Sequence, residues 1–424
     1  MLLPIIKLQW NLDNELIVIL ATLLFCGITF GSLIGGYISD VLGRKKTLII
    51  VSFFMFFFGF LSCFSQKFLM FSITRILNGI VIGALFPLGS TFIAEMSPSN
   101  MRGRLMTFLR LYFSFGSLFA CCLAYIFLKS LTEGNWRLMM LFSSIPSLFS
   151  FILSLKFLNE SIIYDIINGD HYNAIKTCDK IGRMNLGVLY QDINEIEKEI
   201  ILTSVQTNFA KKSKINLLFK IIQGELGLIT FKLSMIWFSV GFCYYGLIYI
   251  IPFILEYYQL SSEKHKNLNF LNLAGPFVGE IPSCLISMYL IDFKQFGRKN
   301  SLLICFSINS ILFFAIFCFC DSQSFTIWIS ITMFFTKTSI CFLYPLTAEY
   351  YNTKIRSSGI GFTSSLSRIA GVLMPNIINQ LFSMNYLGPF LLFELLSIFA
   401  GLFVFFLPYD TTGMDLDLLS TTID

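Results

Sequence analysis

Gly35-Gly36-Tyr37-Ile38-Ser39-Asp40-Val41-Leu42-Gly43-Arg44-Lys45-Lys46 decides the fold, because the chain writes this stretch twice. The second version is Leu290-Ile291-Asp292-Phe293-Lys294-Gln295-Phe296-Gly297-Arg298-Lys299. In each, a long apolar run closes on an Asp and then a Gly-Arg-Lys turn. Gly43 and Gly297 stand 254 positions apart. Glu95 and Glu349 keep that offset, each 52 residues after its Gly and seven before an Arg, Arg102 or Arg356. The same charged punctuation at the same spacing marks an internal duplication. In a chain this apolar, a duplication of such size predicts two membrane-embedded halves with a site between them.

The 424 residues are 55% hydrophobic and only 13% charged, with a mean hydropathy of +0.74. Soluble domains carry about 25% charged residues. Apolar runs of roughly 20 residues recur along most of the length and match a hydrocarbon core about 30 Å thick. Barrel strands would need short alternating segments instead. The expectation is an all-α integral membrane protein whose partners are the bilayer and a small-molecule solute, acting as a monomer. The net charge of +5 is spread over span ends and gives no reason to expect a nucleic-acid partner. Ten of the 11 cysteines lie in apolar runs and read as small buried hydrophobes, with no zinc spacing. His171 and His265 are far apart, so no metal site is expected. There is no nucleotide loop and no nucleophile–base arrangement, so an enzyme is not expected and no cofactor is assigned. Coupling to protons or sodium is left open.

Eleven spans are predicted, at 16–39, 47–65, 68–94, 105–128, 138–158, 228–255, 269–291, 301–320, 325–348, 357–382 and 386–407. They divide the chain into an N-terminal bundle (1–158), a polar central loop (159–227), a C-terminal bundle (228–407) and a tail (408–424). Within the loop, Ile193, Ile196, Ile200 and Ile201 recur at helical spacing against Asp192, Glu195, Glu197 and Glu199, which predicts an amphipathic helix. Ten basic residues fall in the short loops that hold the Gly-Arg-Lys turns and five in the opposite set. That bias puts the turns, the central loop and the C-terminus in the cytoplasm, with the kind of membrane unresolved. Five spans in one half face six in the other. At an offset of 254, Met1 corresponds to Leu255, where the first span of the second half ends, so the first helix of a twelve-helix pattern is expected to be missing from this sequence.

The residues resemble the major facilitator superfamily over nearly the whole chain. Asp40-x-x-Gly43-Arg44-Lys45 is similar to its signature between the second and third helices. Arg75-x-x-x-Gly79-x-x-x-Gly83, Glu95 with Arg102-Gly103-Arg104, and Trp136-Arg137 resemble its fourth helix, the end of that helix and the start of the sixth. Glu160-Ser161 with Gly169 and Ala174 resembles a degraded Pro-Glu-Ser-Pro-Arg segment. Trp237-Phe238, Tyr244-Tyr245-Gly246, Glu280-x-Pro282, Arg368-Ile369-Ala370-Gly371 and Leu407-Pro408-x-x-Thr411-x-Gly413 look most like the organic ion transporters and synaptic-vesicle-2-related proteins, in a sugar-porter-like branch. The resemblance implies two six-helix bundles and transport of a small polar organic solute, an organic ion or sugar-like compound, by alternating access. The alternative is a non-transporting, receptor-like or truncated member of the same fold. It also implies a cytoplasmic latch at Asp40, Gly43, Arg44, Lys45, Glu95, Arg102 and Arg104 in one half, and Gly297, Arg298, Lys299, Glu349 and Arg356 in the other. Asp292 is two residues further from its Gly than Asp40 is, so the second copy is degenerate.

Charges inside spans point to the site itself. One at the bilayer centre costs about 2.5–3.5 kcal/mol and faces a cavity or a partner. The candidates are Arg75, Arg110, Glu280, Lys337, Arg368 and Glu394. Lys337 and Arg368 have polar neighbours and are expected in a solute cavity, the alternative for each being a buried pair with Glu280. Arg75 is placed in the same cavity, although it and Arg110 lie near helix starts and have snorkelling as an alternative. Trp237, Phe242, Tyr244, Tyr245 and Tyr249 crowd one span, and Trp237, Tyr244 and Tyr245 are taken as cavity wall. Arg368 and Lys337 tilt the solute towards an anionic group. Gly27, Gly31 and Gly35 share one helix face, which predicts a close helix crossing.

Overall fold

A computed structural model describes residues 2–97, 101–128, 133–185, 221, 223–261, 270–291, 297–321, 324–351 and 356–410. Fourteen helices are present among them. In the first half they are α1 (Leu3–Gln9), α2 (Asn14–Leu42), α3 (Arg44–Cys63), α4 (Phe68–Met96), α5 (Arg102–Phe127), α6 (Trp136–Phe157), α7 (Ile162–Ile167) and α8 (His171–Asn185). In the second half they are α9 (Gly224–Ser261), α10 (Phe270–Leu290), α11 (Arg298–Phe319), α12 (Phe325–Tyr350), α13 (Arg356–Met384) and α14 (Gly388–Phe405). Each of the eleven expected spans falls on one long helix. A bilayer leaves few alternatives, because backbone groups there must be satisfied within the segment. Among the described residues, nine are long and apolar enough by hydropathy alone to cross a membrane. Of the other two, α10 and α13, the latter is diluted by the polar run Ser364-Ser365-Leu366-Ser367-Arg368. The amphipathic helix expected around Ile193–Ile201, Asp292 and the tail from 411 onward lie outside the described residues.

The helices pack as two bundles. In the first, α2 lies along α4, and α3 along α6 and α4. Gly27, Gly31 and Gly35 of α2 meet α4 where side chains would collide. A Cβ on Gly35 would stand 2.5 Å from Ala84 Cα, and one on Gly79, from the α4 side, 2.5 Å from the Leu24 carbonyl oxygen. In the second bundle, α9 packs on α13 and α14, α10 on α12, and α11 on α14 and α12. Two helix pairs make the main contacts between the bundles, α2 against α13 and α5 against α10, with smaller ones between α5 and α12 and between α4 and α13. The offset of 254 converts α2 into α10 and α5 into α13, so the second pair is the first with its halves exchanged.

The same offset lays α1 on the last turns of α9. Ile5 and Ile6 of α1 are buried, Trp10 packs edge-on to Phe71 and Trp136, and the Trp136 indole N–H donates to Gln9 Oε1 at 2.5 Å. From there an open groove of about 960 Å³ runs between α5 and α6, lined by Tyr112, Phe119, Leu123, Phe142, Phe149 and Phe157 among others. In the second bundle the equivalent helices α13 and α14 are bridged by α9. The groove is lined mostly by apolar side chains, so it carries no chemistry for a polar solute.

Candidate functional site: capped turns and a buried charge cluster between the bundles

Gly43 precedes α3 with φ +94°, a conformation that glycine adopts without steric cost. The turn exposes the first amides of α3, and a carboxylate fills that end, where the helix dipole favours negative charge. Arg44 N–H and Lys45 N–H donate to Glu160 Oε1 at 2.7 and 3.0 Å. A Cβ at position 43 would lie 2.5 Å from Glu160 Oε2. The Arg44 guanidinium grips Glu95 through both oxygens, at 2.8 and 3.1 Å, and lies 4.9 Å from the centre of the Tyr164 ring. Such a two-point Arg–carboxylate contact is among the stronger polar pairings. Ser161 donates to Glu95 as well.

The second half repeats the device. Gly297 has φ +62°, and Arg298 N–H and Lys299 N–H each donate to Asp410 at 3.1 Å. Arg298 pairs with Glu349, and Lys299 Nζ donates to the Leu407 carbonyl at 2.6 Å. Glu160 follows the last helix of its bundle, and so does Asp410. Of the expected latch residues, Gly43, Arg44, Lys45 and Glu95 thus come together in one half, and Gly297, Arg298, Lys299 and Glu349 in the other. Arg104 lies at the start of α5; the side chains of Asp40, Arg102 and Arg356 are outside the described residues. The bundles approach one another at this end, where Gly103 faces Ile291 and Arg298.

Further along the interface sits the charge cluster. Glu280 is fully buried and Lys337 is 2% exposed, with Lys337 Nζ 2.9 Å from Glu280 Oε2. Tyr244 O–H donates to Glu280 Oε1 at 2.9 Å and accepts from Lys337 Nζ at 3.3 Å. Ser114, from α5 of the other bundle, donates to Glu280 Oε2 at 2.8 Å. Lys337 also stands 4.6 Å from the centre of the Phe113 ring. A buried ion pair is tolerable when its remaining hydrogen-bonding capacity is met in this way.

Two arginines complete the cluster. The Arg110 guanidinium lies 3.7 Å from the centre of the Tyr344 ring. Arg368 donates to the Ser364 carbonyl at 2.6 Å and lies 5.0 Å from the Phe86 ring of the other bundle. Both Nε–H groups are buried without a hydrogen-bond partner, and among the described residues neither arginine has an ion pair. The Tyr245 hydroxyl is within electrostatic reach of both. Tyr245 itself packs edge-on to Phe25 of α2, with ring centres 4.9 Å apart. Among the described residues Glu280 has its ion pair with Lys337, and neither Arg110 nor Arg368 is paired with a carboxylate.

Several expectations are corrected. Lys337 takes the alternative given for it, a buried pair with Glu280. Arg75 is not brought to the cluster. It stays inside the first bundle against Phe71 and near Met140 Sδ. Trp237 does not face the other bundle either. Its indole N–H donates to Thr347 at 3.0 Å and its ring backs Tyr344 at 4.5 Å. Phe242 packs on Phe393 in the second bundle's core. Arg110 does not snorkel; its Nε is buried.

Comparison with known proteins places this architecture. A family model described as sugar (and other) transporter matches residues 9–422. The chain belongs to this transporter family. It is 28% identical to organic cation/carnitine transporter 7 of Arabidopsis thaliana, over 97% of this chain and 87% of that one. It is 26% identical to the synaptic vesicle 2-related protein of Rattus norvegicus, over 97% of this chain and 74% of that one. The fold is that of the major facilitator superfamily. A structure of the proton:xylose symporter XylE bound to 6-bromo-6-deoxy-D-glucose superposes with a TM-score of 0.74 at 19% identity, covering 98% of this chain and 91% of the other. The inward-open xylose transporter XylE from E. coli gives 0.71 at 19% identity, covering 99% and 93%. This sugar-porter-like transporter is a multi-pass membrane protein that moves small organic solutes, and the non-transporting alternative is not favoured.

Proposed function

We propose that the solute binds between the bundles against Arg110, Arg368 and Tyr245, and that it carries an anionic group. The observation behind this reading is buried Arg368 and partly buried Arg110, whose Nε–H groups are both buried without a hydrogen-bond partner and which have no carboxylate of their own among the described residues. Uncompensated buried cations are costly, and an arriving anion relieves that cost. A carboxylate fits, since the planar guanidinium fork matches its two oxygens. The Arabidopsis relative's name joins organic cations with carnitine, and carnitine carries a carboxylate. Alternating access then rocks α5 against α10 and α2 against α13. The Arg44–Glu95–Glu160 and Arg298–Glu349–Asp410 clusters latch the cytoplasmic side in the closed-inside state. The chain has no enzymatic role in this scheme and works as a monomer.

Uptake into proteoliposomes tests this with four probes: L-carnitine, succinate, tetraethylammonium and xylose. Carboxylate uptake that Arg368→Gln and Arg110→Gln each lower by tenfold or more is the expected result. Uptake of tetraethylammonium or xylose alone would overturn the anion assignment.

A further inference from the structure

We propose that Glu280 is the proton-binding site of the transport cycle: the solute's anionic group takes Lys337 from Glu280, and the carboxylate left behind takes up a proton. The proposal rests on the anion reading above and adds its coupling. In the structure Lys337 is already spoken for by Glu280. Lys337 and Arg110 both reach the Cys341 thiol electrostatically. An anion seated at Arg110 therefore has a third cation within reach, and that cation is shared with Glu280. The two carboxylates cannot both own it.

Losing Lys337 leaves Glu280 buried with only neutral donors, Tyr244 and Ser114. A buried carboxylate without a cation is unfavourable enough to protonate instead. The step balances simply: Glu280 carboxylate plus hydronium gives the carboxylic acid and water, and Lys337 remains an ammonium throughout. One negative charge enters with one proton, so the charge of the cluster is unchanged.

Glu280 is met by side chains from α5, α9 and α12. Facing it are Lys337 from α12, Tyr244 from α9 and Cys121 from α5; the Cys284 and Cys341 thiols lie together beside Lys337, with Arg110 in reach of Cys341. None of these other groups is a carboxylate. Access follows from the bundle geometry. Ser114 is the α5 donor to Glu280, so separating α5 from α10 breaks that bond and lets water reach the carboxylate.

The test is binding of L-carnitine and of succinate to the full chain in nanodiscs, between about pH 5 and 8. Wild type should bind more tightly as pH falls, by up to about tenfold per pH unit, the slope of one linked proton. Glu280→Gln should bind more tightly than wild type at high pH and lose that slope. Binding without a pH slope in wild type, or with the same slope in Glu280→Gln, overturns the proposal. A second arm needs no solute. In Lys337→Met, infrared spectra at neutral pH should show a buried carboxylic-acid C=O band that vanishes in Lys337→Met/Glu280→Gln. Absence of that band overturns the coupling. If neither probe binds but the band appears, the solute assignment fails while the proton site stands.

Discussion

Ser114 on α5 donates a 2.8 Å hydrogen bond to Glu280 on α10, joining two helices that belong to different bundles. It binds a fully buried charged acceptor, so it is worth about 1.5–3 kcal/mol. It exists only while α5 and α10 are together. Ser114→Ala should therefore shift the conformational equilibrium by about tenfold or more toward separated bundles. Spin labels on α5 and α10 measure this as a longer, broader distance distribution. An unchanged distribution would show that Ser114 adds nothing to closure.

The Glu280–Lys337 pair predicts a characteristic non-additivity. Lys337→Met alone leaves a buried acid without its cation and should cost about 3–5 kcal/mol. Glu280→Leu alone strands the ammonium and should cost a similar amount. The double variant replaces both charges with apolar volume and should recover most of the loss. Unfolding midpoints in detergent for the four proteins give the cycle. Additive losses would mean that the two residues do not depend on each other.

The spans and the turns were legible in the sequence for different reasons. Long apolar runs become helices because hydrocarbon offers the backbone no other partner. Arg44 with Glu95 and Arg298 with Glu349 were legible because duplication kept their spacing. Asp410 was not, since the offset of 254 carries Glu160 onto Met414, four residues away. Ser114 gave no signal either. A serine in an apolar helix is commonplace, and only the α5–α10 contact gives it a partner. Arg110 was left between a cavity role and snorkelling because it lies near a helix start, and only the structure shows its guanidinium over Tyr344.

Asp165 supplies a pH prediction away from the membrane-spanning helices. Burial, and then the neighbouring charges of Glu160 and Asp170, raise its carboxyl from 3.8 to about 6. The folded protein thus holds this proton more tightly than the unfolded chain. The stability from that proton is full below pH 3.8 and is lost as pH rises through about 6. Asp165→Asn should flatten this part of the pH profile and raise the unfolding midpoint at pH 7. A midpoint for Asp165→Asn that tracks wild type from pH 4 to 7 would contradict the assignment.

Gly43 and Gly297 should respond alike to one added methyl group, because the duplication preserved the device as well as the residue. Each has a positive φ that favours glycine, and each has a carboxylate where a Cβ would go. Alanine at either position combines backbone strain of about 1–3 kcal/mol with displacement of the capping acid. The damage should be specific to the proposed latch, because the Glu280–Lys337 cluster lies further along the interface. Gly43→Ala and Gly297→Ala are therefore expected to weaken the closed-inside state. Spin-label distances across the Gly-Arg-Lys end should lengthen in both variants. Asp410→Asn should reproduce the Gly297→Ala phenotype, and Glu160→Gln that of Gly43→Ala, since the neutral amide loses the charge that the exposed helix amides favour. If the glycine variants opened that end while the capping variants left it closed, the acids would be bystanders and backbone strain alone would account for the conserved geometry of the two turns.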